Sequence, residues 1–78
     1  MNTDAIIKND LADIESIRVQ LLAEGHSASA AQSGVEQYAK GVIEDLSSFL
    51  GSLSGYQPIA DCLSARIAKI RKVYGVSK

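Results

Sequence analysis

With one histidine, His26, and one cysteine, Cys62, the chemistry open to this chain is narrow. Nucleophilic catalysis by Ser or Cys needs a base, normally histidine, held against the nucleophile. His26 directly follows Gly25, where the first helix is expected to stop, and there an imidazole side chain would cap the negative end of the helix dipole. One histidine and one cysteine cannot supply the four nitrogen or sulfur ligands of a structural zinc site, and a lone cysteine forms no internal disulfide. Glu44 and Asp45 are neighbours in sequence, so on a helix they point about 100° apart rather than flanking one substrate. No metal motif, glycine-rich phosphate loop or nucleotide fingerprint is present. The expectation is a non-enzyme with no cofactor and no metal, in which Cys62 serves as a small buried hydrophobe.

The most unusual charges lie early in the chain. Ile6, Ile7, Leu11, Ile14, Ile17, Leu21 and Leu22 share one face of a helix, yet Asp10 and Arg18 project within that face. Eight residues apart, they are about 12 Å from each other along a helix and too distant to pair. A buried charge without a partner is expensive. Two copies packed antiparallel with Ile14 on a two-fold axis would satisfy both, because Asp10 of each copy would meet Arg18 of the other and Ile7 would meet Leu21. The alternative is a self-contained bundle in which Arg18 lays its stem along apolar surface and Asp10 sits at an edge. The expected partner-binding or dimer-interface set is therefore Asp10, Ile14, Arg18 and Leu21, with Asp13 among the surrounding charges.

A second candidate surface is basic. Residues 1–24 carry five acids and two bases and residues 25–55 three acids and one base, whereas residues 56–78 carry Asp61 against Arg66, Lys69, Arg71, Lys72 and Lys78. Acids near helix starts and bases near helix ends also suit the helix dipole, so part of this asymmetry needs no ligand. Arg66, Lys69 and Lys72 step by three along one flank, placed to meet phosphates or an acidic partner. The string from Ile67 to Ser77, IAKIRKVYGVS, resembles the first helix and turn of a helix-turn-helix over about ten residues. That resemblance implies DNA reading only if a recognition helix follows, and the sequence reaches Lys78 without one. A net charge of −1 is also far from that of a basic nucleic-acid binder. Membrane-surface binding ranks lower, since the apolar side of the same helix is needed for a core.

Three helices are expected to position these residues, at about 4–24, 29–53 and 58–74, in a single domain covering 1–78. Thr3 is the expected first N-cap and Gly25 the left-handed terminator. Ser29 to Gln32 and Ser33 to Glu36 both read as capping boxes for the second helix, and the earlier start is preferred because three alanines lie between 28 and 31. Val35, Ala39, Val42, Leu46, Phe49 and Leu53, joined by Tyr38, Ile43 and Leu50, make a broad apolar arc with Leu46 near its middle. Pro58 fits the first turn of the third helix, whose stripe is Ile59, Leu63, Ile67, Ile70 and Tyr74. No segment alternates with period two over any useful length, which argues against a sheet.

The fold class is thus all-α, a small three-helix bundle, with homodimerisation the expected source of extra stability because so short a chain buries only a little over ~60% of its unfolded surface. No apolar run reaches the ~20 residues of a membrane span, and no signal-peptide pattern opens the chain, so a soluble cytoplasmic protein is expected. The function expected is non-catalytic binding of another macromolecule by protein–protein contacts, as a small regulator, inhibitor or adaptor of bacterial, phage or plasmid type. A nucleic-acid-associated accessory protein using the basic third helix is the alternative.

Overall fold

The computed structural model describes residues 2–53 and 55–76. Its helices are α1 (Thr3–Ala23), α2 (Ala28–Ser52) and α3 (Gln57–Tyr74). Short turns link them, so successive helices run antiparallel, and each packs against both of the others. The result is an all-α three-helix bundle, elongated to 46 × 23 × 17 Å.

Local chemistry sets each boundary. Asn2, not Thr3, caps α1: its side-chain oxygen accepts from the Ala5 backbone N–H at 3.1 Å, and asparagine outranks threonine in this role. At the far end Gly25 takes φ +93°, its N–H donates to Leu22 O at 3.1 Å, and the His26 N–H donates to Leu21 O at 3.1 Å. This paired arrangement satisfies the last carbonyls with backbone alone. The expected capping by the His26 imidazole is thereby corrected: the backbone does the capping, and the ring lies half-exposed, 3.8 Å from Glu24.

Ser27 starts α2 by accepting from Ala30 N–H at 3.1 Å, so neither expected capping box is used. Ser27 is the first hydroxyl beyond the Gly25 turn, and Ala28, Ala30 and Ala31 carry the helix on from there. Gln32, released from capping, donates to Glu36 at 2.7 Å. Pro58 lies in the first turn of α3, and Gly75 closes it at φ +64°. Val76 then turns back into the core with only 7% of its surface exposed. Ser77, the last residue of the string that resembles a helix-turn-helix, lies outside the described residues, as does Lys78.

The core joins Ile14 from α1, Val35, Ala39 and Ile43 from α2, and Ile67, Ile70 and Tyr74 from α3, with Val76. Cys62 and Leu63 are also buried. On α2 the buried line runs Ala31, Val35, Ala39, Ile43, in steps of four, rather than along the expected stripe of threes and fours. A row of fours drifts around a helix by about 40° per step. That drift rotates the contact away from the expected centre, so Leu46 is only half-buried and packs at the core's edge, while Tyr38 and Phe49 remain 44% and 55% exposed. On α1 only Ile14 is buried, and Leu22, expected in the apolar face, is exposed. At Gly34 the α1 side chain Leu21 takes the space a Cβ would fill.

Ile43, 1% exposed and the largest side chain of this line, should therefore dominate stability. Ile43→Ala is expected to cost ~2–5 kcal/mol, and Phe49→Ala less than ~1 kcal/mol. Denaturant midpoints of the two variants check the ordering, and a larger loss at Phe49 would overturn this assignment of the core.

Candidate binding surface on the second and third helices

The topology brings α1 and α3 side by side in the same direction, and two polar links fix their alignment. Arg66 Nε and Nη2 donate to the two carboxylate oxygens of Asp10 at 2.7 and 2.8 Å. The side chains are 24% and 12% exposed, so the fork is largely shielded from water. The Asp10 hydrogen bonds raise the Arg66 pKa above its already high ordinary value. Toward the other end, Tyr74 OH donates to Glu15 Oε2 at 2.7 Å, and Arg18 Nε donates to Glu15 Oε1 at 2.9 Å. The Arg18 bond, then the Tyr74 bond, holds the Glu15 carboxyl below the usual carboxylate range. Arg18 is raised in turn, chiefly by the same bond. Burial, then the Glu15 bond, pushes the Tyr74 phenol up to about 12.

These links change the reading of the first candidate set. Asp10 and Arg18 have partners within their own chain, Arg66 and Glu15. Ile14 is fully buried inside the bundle, and Leu21 lies against Gly34. Asp10, Ile14, Arg18 and Leu21 therefore form no common outward patch, and an antiparallel α1 pair centred on Ile14 would have to pull α1 out of its own core. Two unpaired charges motivated that arrangement, and the fold supplies both partners. A sequence gives little warning of a contact between residues 56 positions apart, whereas the Glu15–Arg18 spacing of three was readable on the helix itself.

The second set divides. Arg66 is withdrawn by Asp10, which leaves Lys69 and Lys72 exposed and adds Arg71 in the last turn. None of these three makes an ion pair among the described residues. Beside Arg71 a groove of about 290 Å³ opens between α2 and α3, lined by Ser47, Leu50, Ser64, Ile67, Ala68 and Arg71. Its floor is apolar, its walls are small, and Arg71 is the charge at its edge. Ser47, Ser64 and Ala68 escaped notice in the sequence because isolated small residues on an exposed face carry no pattern.

The remaining reactive groups are dispersed. Cys62 is a free, buried thiol, and His26 lies in the turn between α1 and α2. No cluster of three His, Cys, Asp or Glu among the described residues is placed to hold a metal ion. No helix among them is long and apolar enough to cross a membrane. Comparison with protein families, curated proteins and solved structures finds no match to this chain.

Two outcomes test this site geometry. In a double-mutant cycle on stability, Asp10→Asn and Arg66→Gln should show a coupling of at least ~1 kcal/mol, above the range of most exposed pairs. A coupling near zero would mean the fork is solvated. The raised Tyr74 pKa also has a signed consequence. The folded state keeps a proton that the unfolded chain gives up from about pH 10, so the contribution is intact below that pH and is lost as pH rises toward the folded value of about 12. Denaturation midpoints of the wild type should fall across this alkaline window, and Tyr74→Phe should remove most of the fall.

Proposed function

We propose that the chain is a non-catalytic binding protein, a small regulator, inhibitor or adaptor that engages an acidic region of another protein through the α2–α3 face. The observation that carries this reading is the placement of Arg71, free of an acidic partner among the described residues, at the edge of a groove floored by Leu50 and Ile67. A surface that mixes apolar floor and cation suits a protein segment, since it rewards both burial and charge. A duplex phosphate backbone would use the charge and waste the floor. Asp10, Arg66, Glu15 and Tyr74 are engaged in links between α1 and α3, and Arg18 is paired with Glu15 within α1, so none of these five is free for a partner.

Nucleic-acid association remains the second reading, favoured by three cations in the last turns of α3, Lys69, Arg71 and Lys72, that make no ion pair among the described residues. The two are separated by titrating the protein with nonspecific duplex DNA and, in parallel, with an acidic leucine-containing peptide, each at low and at physiological salt. The protein-binding reading expects DNA association to collapse with salt while peptide association persists in part. DNA binding that survives physiological salt, and is lost when Lys69, Arg71 and Lys72 are all changed to Gln, would replace it with the nucleic-acid reading.

A further inference from the structure

We propose that the α2–α3 groove receives one amphipathic helix from an acidic protein partner, which lies along α2 and α3 as a fourth helix and sets a carboxylate against Arg71. This rests on the protein-binding reading above and adds the shape of the partner. Between Ser64 and Arg71 the groove follows α3 for seven residues, about 10 Å, which matches two turns of an incoming helix. Ser47, Ser64 and Ala68 keep its walls low, so a second backbone can approach closely. The volume of about 290 Å³ is at the small end of ligand sites and fits one or two apolar side chains set against Leu50 and Ile67.

Charge selects the chemistry of the occupant. No acid lines the groove, and the Arg71 guanidinium has no hydrogen-bond acceptor among the described residues, so a carboxylate must come from outside. Elsewhere the chain is acidic, with eight acids against three bases over residues 1–55. An acidic helix is therefore repelled from most of the surface and attracted to this end of α3, where Lys72 adds to the field. Residues three or four apart are neighbours on a helix. The recognition element is accordingly an apolar residue with Asp or Glu three or four positions away.

The test uses the full chain, isotopically labelled for NMR, and a synthetic helical peptide of three heptads that carries Leu with Glu four residues on. The signals of Leu50, Ser64, Ile67, Ala68 and Arg71 should shift on titration. Arg71→Glu should weaken binding about tenfold or more, and a peptide with Lys in place of Glu should recover it on that variant. Ser64→Trp, which fills the groove and leaves every charge in place, should block the peptide while helix content by circular dichroism stays as in the wild type. Equal affinity for wild type and both variants, shifts confined to Tyr38 and Phe49, or no shifts at all would overturn the groove assignment. The protein-binding reading fails separately, if duplex DNA moves the Lys69 and Lys72 signals at physiological salt and no peptide binds.

Discussion

Closing α1 onto α3 is the step on which the bundle depends. Short turns oblige α1 to lie beside α2 and α2 beside α3, but nothing in the connectivity obliges the first helix to meet the third. Ile14 is the sole fully buried residue of α1, with Leu11 and Ile17 packed against the core, and the α1–α3 contact is the least extensive of the three. The Asp10–Arg66 fork and the Tyr74–Glu15 hydrogen bond complete the triangle. A shielded ion pair gains little net energy over well-packed apolar side chains, because desolvation offsets most of its attraction. What two such links supply is alignment. Residues 10 with 66 and 15 with 74 fix both the direction and the axial position of α3 against α1, and a slip of one turn would strand four polar groups in poor surroundings.

The same links decide which charges are available for binding. Arg66 and Arg18 are engaged, and the acids that face them are neutralised locally. The basic character of the C-terminal segment is thereby concentrated in Lys69, Arg71 and Lys72, nearer the end of α3 than the sequence spacing indicates. Dipole complementarity accounts for some of this placement, since cations in a last turn face unpaired carbonyls. It does not account for the apolar floor beside Arg71, which is a property of how α2 and α3 pack.

Most of the fold was legible in the residues. Gly25, Pro58 and Gly75 mark boundaries that the structure keeps, and the absence of period-two patterning fixed the class. Caps were missed by one or two positions at Asn2 and Ser27, because several polar residues competed for the same few N–H groups and only three-dimensional reach chooses among them. The apolar stripe of α2 was read as if its neighbours lay straight along it. Contact along the row from Ala31 to Ile43 instead left Phe49 outside, and no count of apolar residues reveals the direction in which helices cross. Least legible was the contact of Asp10, whereas the Glu15–Arg18 pair lay within one turn of α1. The position of Asp10 and Arg18 in an apolar arc was correctly odd, but the partner of Asp10 lay on a helix whose alignment with α1 only the assembled bundle defines. The site itself was half visible: the cations were, the groove was not.

Val76 turns back past a left-handed glycine and buries itself beside Tyr74, so the last turns of α3 are anchored at the point where helices usually fray. The cations of those turns are consequently carried on a stiff post rather than a loose tail. A partner meeting Lys69, Arg71 and Lys72 would immobilise side chains alone, with the backbone already ordered, and the entropy lost on association would be correspondingly small.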